Sequence, residues 1–199
     1  MRARSLTLVL AMITLLPACG GKTITRVDPN EAIDLSGRWN DTDSRYVAEA
    51  LISDCMNAPW LSRHMNASSQ RPVVVVGPVR NKAMEHIPVD TFINEMERAF
   101  INDGRVRVVA DAGERVDIRA ERESMQGNTT MESLKRFGKE LGADYVLAGE
   151  VNQINDQEGG EKVAFFRTDL ELINVESNEK VWFGTHQIKK FIARGRYSG

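Results

Sequence analysis

The sequence predicts an α/β fold of the α+β kind: a mixed β-sheet flanked by helices and closed by an antiparallel meander. Three observations predict it. Helical periodicities alternate with short β-branched runs as far as about residue 142. From Tyr145 onward the chain reads as three successive strands separated by turn residues. The buried-type run Val73-Val74-Val75-Val76 lies between helical segments, as a strand covered on both faces does.

The chain opens with Arg2 and Arg4, then an apolar run from Leu6 to Leu16 broken only by Thr7 and Thr14. Small residues follow. A basic start, a short apolar stretch and a small-residue cleavage zone make a secretory signal peptide, removed over residues 1–18. The run falls short of the ~20 apolar residues of a membrane-spanning helix, and Pro17 breaks it just before Cys19. Leu16-Pro17-Ala18-Cys19 resembles the lipobox of bacterial lipoproteins, in which cleavage falls before the cysteine and the cysteine carries the lipid. An ordinary signal peptide followed by an incidental cysteine is the alternative. Several acyl chains at ~0.8 kcal/mol per buried CH₂ hold a protein firmly on a bilayer. Gly20 and Gly21, rather than an aspartate, follow the cysteine, which under the proteobacterial sorting rule implies the outer membrane, facing the periplasm.

Residues 19–33 read as a tether, residues 34–192 as one globular domain and residues 193–199 as a tail. The whole chain carries 26 basic and 28 acidic residues, and loss of Arg2 and Arg4 with the leader makes the remainder more acidic. A mildly acidic, mixed surface argues against nucleic-acid binding. With Cys19 lipidated, Cys55 has no partner for an internal disulfide. Its place on an apolar helix stripe predicts a buried, inert thiol.

Ile33 to Trp39 reads as a short strand or extended entry. Asn40 to Ser44 supplies cap residues and early negative charge for a helix running to about Asn57, with Val47, Leu51 and Cys55 on its buried face. The Val73–Val76 strand ends at Pro78, and Arg80 to Ile87 forms a polar loop. Asp90 or Thr91 caps a helix whose stripe is Phe92, Ile93, Met96, Ala99 and Phe100, stopped at Gly104. Val106 to Val109 is a strand. Residues 112–124 are a heavily charged, solvated helix. Thr129 with Glu132 forms a capping box for a helix with Leu134, Phe137 and Leu141 inward, ending at Gly142. Tyr145 to Ile154 is a strand in which Gly149 marks a bulge or a close approach. Asn155 to Gly160 turns into Val163 to Val175, where Phe166, Leu170 and Leu172 alternate with Arg167, Asp169 and Glu171. Glu176 to Glu179 turns again, and Val181 to Ile192 completes the meander.

Motifs of catalysis do not emerge. His64, His86 and His186 lack a metal-ligand spacing and read as surface or turn histidines. Gly159-Gly160 is a turn, not a phosphate loop, and there is no Gly-x-Ser-x-Gly elbow. Asp41 and Asp43 cap a helix. Trp39, Trp60 and Trp182 read as packing residues, with partner anchoring as the lesser reading. Lys189, Lys190, Arg194 and Arg196 form a solvated basic end. The chain therefore reads as a non-enzymatic, cofactor-free, metal-free module at a membrane. Arg80, Asn81, Lys82, Glu85 and His86 are its candidate partner contacts, because binding residues gather on polar loops held by a buried strand.

Four segments carry a resemblance: Asp34-Leu35-Ser36-Gly37-Arg38-Trp39-Asn40-Asp41-Thr42-Asp43-Ser44, Val75-Val76-Gly77-Pro78-Val79-Arg80-Asn81 with Glu85-His86-Ile87, Gly142-Ala143-Asp144-Tyr145-Val146-Leu147, and Leu172-Ile173-Asn174-Val175 with Lys180-Val181-Trp182. Together they resemble the LpoB-type penicillin-binding-protein activators over about residues 34–192. That resemblance implies a fold like the TolB N-terminal domain. It also implies an outer-membrane lipoprotein that binds a bifunctional class A penicillin-binding protein and stimulates peptidoglycan synthesis, a monomer that catalyses nothing. The Gly-Ala-Asp-Tyr strand is also similar to CsgG-like and TolB-N-like lipoproteins, so a self-assembling structural or secretion lipoprotein is the alternative.

Overall fold

The computed structural model describes residues 24–109, 124, 125, 127 and 129–193. The leader, the Cys19 lipobox, most of the charged segment 112–124, and Arg194 and Arg196 lie outside the described residues. Chain contacts divide the molecule after Glu31, and the body begins at Ala32. In order, the body contains α1 (Asp41–Asn57), α2 (Pro59–Ser68), β1 (Val73–Lys82), α3 (Val89–Asp103), β2 (Arg107–Val108), α4 (Met131–Glu140), β3 (Tyr145–Glu158), β4 (Glu161–Asn174) and β5 (Lys180–Ala193). The sheet order is β2-β1-β3-β4-β5. β1 runs parallel to β2 and β3, and β3, β4 and β5 form the antiparallel meander. The mixed sheet with flanking helices is the fold class that the sequence predicts.

Alternation of side chains gives the sheet two faces. One carries Val74, Val76, Leu147, Val151, Phe166, Leu170 and Leu172 into a large core with α1, α2 and α3. There Val47, Leu51 and Cys55 of α1 and Phe92, Ile93, Met96 and Phe100 of α3 are all buried. The other face carries Val75, Val146, Ala148 and Ile173, and α4 covers it with Leu134 and Phe137. α4 packs close because Gly138 has no side chain: a Cβ there would run into Val175 and Val146.

Several expectations are corrected. Of the two readings of residues 33–39, the strand does not form; they run as an irregular strap with a bend at 35–38. The helix α2 was not anticipated; Pro59 starts it at a position where the missing N–H costs nothing. β1 does not stop at Pro78 but runs on to Lys82, with an irregular register between Val76 and Val79. By Pro78 the strand has passed the end of the two-residue β2, so the proline breaks no ladder on that edge. Pro88, not Asp90 or Thr91, precedes α3, and no side chain caps it. The capping box of α4 is Thr130 with Ser133, one residue beyond the predicted pair. β3 extends to Glu158, which shortens the turn to Gly159-Gly160, both at positive φ. Gly149 proves to be a close approach: a Cβ there would fall on the Asp169 carbonyl oxygen of β4.

Candidate functional site

Arg80, Asn81 and Lys82 lie on the end of β1 rather than on a loop, and the strand's alternation separates them. Arg80 pairs with Glu150 of β3 at 2.8 Å. With Lys82 it lies on the sheet face that α4 leaves open beyond Ala148, where Lys82 is exposed. Asn81 belongs to the opposite side. Its Nδ2 donates to the Glu85 carbonyl (2.9 Å), and its Oδ1 accepts from the Ala83 N–H (2.8 Å). Those bonds close the turn from Lys82 to Glu85.

Glu85 is also engaged within the molecule. Its Oε1 accepts the Trp39 N–H at 2.6 Å, and its Oε2 accepts from Gln153 Nε2 at 3.4 Å. Gln153 in turn accepts the Met84 N–H at 3.1 Å. The loop is thus fastened to β3 on one side and to the strap on the other. Of the five residues singled out in the sequence, Asn81 and Glu85 hold the loop in shape. Arg80, Lys82 and His86 stay accessible to a partner, Arg80 only partly.

The strap is held at a second point, which sequence reasoning assigned to a solvated basic end. Lys190 of β5 is not solvated: its side chain is 9% exposed. Its ammonium donates to Asp34 Oδ1 (2.5 Å), Asp43 Oδ2 (2.6 Å) and the Arg38 carbonyl (3.0 Å). Three acceptors for three N–H groups is full satisfaction. Burial by itself pulls the lysine's pKa down, but the two carboxylates outweigh it and the net shift is upward. Asp43 is held above the usual carboxylate range because its burial outweighs Lys190 and the Asn40 N–H. Asn40 and Asp43 also form the reciprocal capping box of α1, at 3.0 and 2.9 Å. Trp39 packs edge-on against Phe92 and Phe166 and donates from its indole to Ser44 Oγ at 2.7 Å. A signal for this lock was present: Asp34 and Asp43 share one short segment, and Lys190 falls in phase with the inward residues Ile188 and Ile192.

The open face continues across β4 and β5. It presents Ile154, Phe183 and Phe191, each more than half exposed, beside half-buried Phe165. Charges on this face are largely paired internally: Arg80 with Glu150, Arg167 with Asp169 at 2.9 Å, and Lys180 with Glu171. A surface of exposed aromatics among largely paired charges suits protein contact better than chemistry. Among the described residues no group of three or more His, Cys, Asp or Glu side chains could hold a metal ion. Nor is any described helix long and apolar enough to cross a membrane. The three tryptophans pack as expected, with Trp60 donating to the Cys55 carbonyl at 2.7 Å and Trp182 to Asp54 at 2.9 Å.

One solved structure supports the fold, with two others beside it. The C-terminal domain of LpoB from Escherichia coli is 14% identical and covers 74% of this chain and 99% of that one, with a TM-score of 0.51. The same domain from Salmonella enterica is 15% identical over 76% and 99%, with a TM-score of 0.49. Lipoprotein GNA1162 from Neisseria meningitidis is 14% identical over 63% and 88%, with a TM-score of 0.47. No curated protein matches the chain. The family described as peptidoglycan-synthase activator LpoB matches residues 43–188, from the α1 capping box to the middle of β5. That span is well over half of the chain and takes in the Arg80–His86 segment and most of the open face, so the chain belongs to the LpoB family of peptidoglycan-synthase activators.

Proposed function

We propose that this chain is an outer-membrane lipoprotein, anchored through Cys19 after removal of residues 1–18. In this reading its periplasmic domain binds a class A penicillin-binding protein as a monomer and raises its synthesis of peptidoglycan. It catalyses nothing itself. The observation that carries this reading is the family match across the folded body. The open sheet face is its physical counterpart, a contact surface without a ring of reactive groups.

Activation then has a simple thermodynamic form. A ligand shifts an equilibrium between synthase conformations only by the difference in its affinity for the two. A rigid face suits that task, because little ordering free energy is lost on docking. Lys82, His86, Phe183 and Phe191 are the contact residues of this reading, with Arg80 on the same strand as Lys82 and Asn81 and Glu85 holding the loop.

The test is reconstitution. The lipoprotein in detergent is added to its cognate synthase, and glycan polymerisation and peptide cross-linking are followed. A saturable rise in either rate is expected, with Lys82→Glu and Phe191→Ser reducing it. Absence of both binding and stimulation refutes the reading. Mass spectrometry of the native protein checks the anchor separately: an unmodified Cys19 thiol would remove the lipoprotein half of the proposal.

A further inference from the structure

At the end of the sheet where β3 starts, β4 ends and β5 starts, α2 and the C-terminal end of α4 stand apart. Between them lies a cleft of about 740 Å³, lined by Trp60, His64, Tyr145, Asn174 and their neighbours. That volume falls within the roughly 300–1,000 Å³ of small-ligand sites. It lies at the opposite end of the β1–β3 pair from Arg80 to Lys82, and nothing in the reading above uses it.

The floor is built and rigid. The Tyr145 ring stands edge-on to Trp60 at 4.9 Å and to His64 at 5.5 Å. Its hydroxyl lies 3.0 Å from His64 Nδ1, and Asn174, whose Oδ1 accepts the Glu176 and Ser177 N–H groups, lines the same cleft. Trp60 is fixed in turn by its bond to the Cys55 carbonyl.

The walls carry exposed charges of both signs. Several cations and anions elsewhere neutralise one another within the molecule, as in Arg80–Glu150, Arg98–Glu95, Arg105–Asp103 and Arg167–Asp169. In the cleft, Arg63 of α2 and Lys139 of α4 face solvent with Glu176 and Glu179 of the β4–β5 turn. Among the described residues none of these four side chains has a hydrogen bond or an ion pair. Both signs are therefore present and unmatched around one concavity. A ligand of single charge would satisfy one pair and meet repulsion from the other, whereas a ligand bearing both signs satisfies all four.

We propose that this cleft binds a short peptide carrying both a free amine and free carboxylates, as the stem peptides of peptidoglycan do. The charge argument stands alone; only the choice of a wall peptide rests on the family reading.

Isothermal titration of the detergent-solubilised lipoprotein, with no synthase present, tests it apart from activation. One probe is the wall tripeptide L-Ala-γ-D-Glu-meso-diaminopimelate; the other is the all-L, α-linked Ala-Glu-Lys. Saturable binding is expected, lost when amine and carboxylates are blocked by acetylation and amidation. Lys139→Ala and Glu179→Ala, both exposed positions, each weaken it about tenfold, while Glu158→Ala, exposed at the opposite end of the sheet, leaves it unchanged. Tighter binding of the wall peptide assigns the source to the cell wall. Equal or tighter binding of the all-L peptide assigns it to a protein terminus, and either result carries the site. No saturable heat up to about 10 mM, or equal affinity in the cleft variants and the parent, overturns it.

Discussion

Replacing Lys190 by Met keeps the aliphatic stem and removes one charge from the lock that holds the strap. The perturbation is specific because the ammonium has three acceptors and its side chain is 9% exposed, while that of Asp43 is 7% exposed. Breaking a fully buried pair by removing one partner costs about 3–5 kcal/mol. Here Asp34 remains half exposed and Asp43 keeps the Asn40 N–H, so about 2–3 kcal/mol is expected. At this chain length each kcal/mol moves Tm by about 2–4 °C, which makes a drop of roughly 5–10 °C. Urea unfolding followed by tryptophan fluorescence is the assay, with Trp39 reporting from the strap itself. The pH dependence has a definite sign. Asp43 has a raised pKa in the folded chain, so the fold takes up this proton before the unfolded chain does. Acidification therefore favours the fold through this group, and a neutral Asp43 needs no counter-ion. The deficit of the variant should be largest near neutrality and shrink as pH falls through the Asp43 pKa. It should also shrink at strongly alkaline pH, because Lys190, whose own pKa is raised, stabilises fully below the unfolded lysine pKa and stops doing so above the folded one. The second change Asp43→Asn should recover part of the loss. A deficit below about 0.5 kcal/mol, or one that grows on acidification, would refute the reasoning.

Gly149→Ala should destabilise by more than the ~1–3 kcal/mol of ordinary overpacking, because the new methyl meets the Asp169 carbonyl oxygen and not a yielding side chain; a urea midpoint within error of the parent would contradict this. Cys55 is fully buried, and burial pushes its thiol up to about 12, so a thiol reagent at pH 8 should label it only after urea unfolds the chain. Lys82→Glu together with Phe191→Ser should abolish stimulation of the synthase while moving stability by no more than about 0.5 kcal/mol each, read by cross-linking assay and urea titration side by side. Glu85→Gln should keep the fold but loosen the strap, seen as faster amide exchange at the Trp39 N–H, which Glu85 now accepts.

The elements that were legible are those in which one local rule decides the outcome. The α1 stripe through Val47, Leu51 and Cys55, the four-valine start of β1 and the alternation of β4 each expose a period directly in the residues. The errors arose where tertiary context overrides a local signal. Pro78 stops a strand only if a neighbour needs its N–H, and β2 is too short to need it. Ile33 to Trp39 has the residue types of a strand, yet Trp39 is drawn into the core by Phe92 and Phe166, and Gly37, at positive φ, packs against Ile192. Lys190 reads as a terminal basic residue; its phase with Ile188 and Ile192 marks an inward position, but only the tertiary fold brings Asp34 and Asp43 to it from some 150 residues away. The candidate contact set is a stretch of sequence, and the fold divides it between two roles. Five adjacent polar residues were found, but only the pairing of β1 with β3 separates Arg80 and Lys82, on the open face, from Asn81 and Glu85, which build the loop.

The strap sharpens a question of reach. From Cys19 to Asp34 a fully extended chain spans roughly 50 Å. The body begins at Ala32, and Asp34, Arg38, Trp39 and Asn40 are each bonded to the domain. Slack drawn from that segment breaks first the bonds of Lys190 to Asp34 and Arg38 and then the Glu85 bond at Trp39. A body of this size adds a few tens of ångströms. An anchored domain would then meet its synthase within a narrow shell beneath the membrane, and tension on the tether would act first on Asp34 and Lys190, before it reached the Glu85 loop that borders the open face. Inserting a flexible Gly-Ser segment between Gly21 and Asp28 should therefore leave the purified protein's stability and its affinity for the synthase unchanged. In cells the insertion should extend the distance over which stimulation is retained. If the insertion also weakened binding in solution, the tether itself would be a contact, and the domain's open face would not be sufficient for docking.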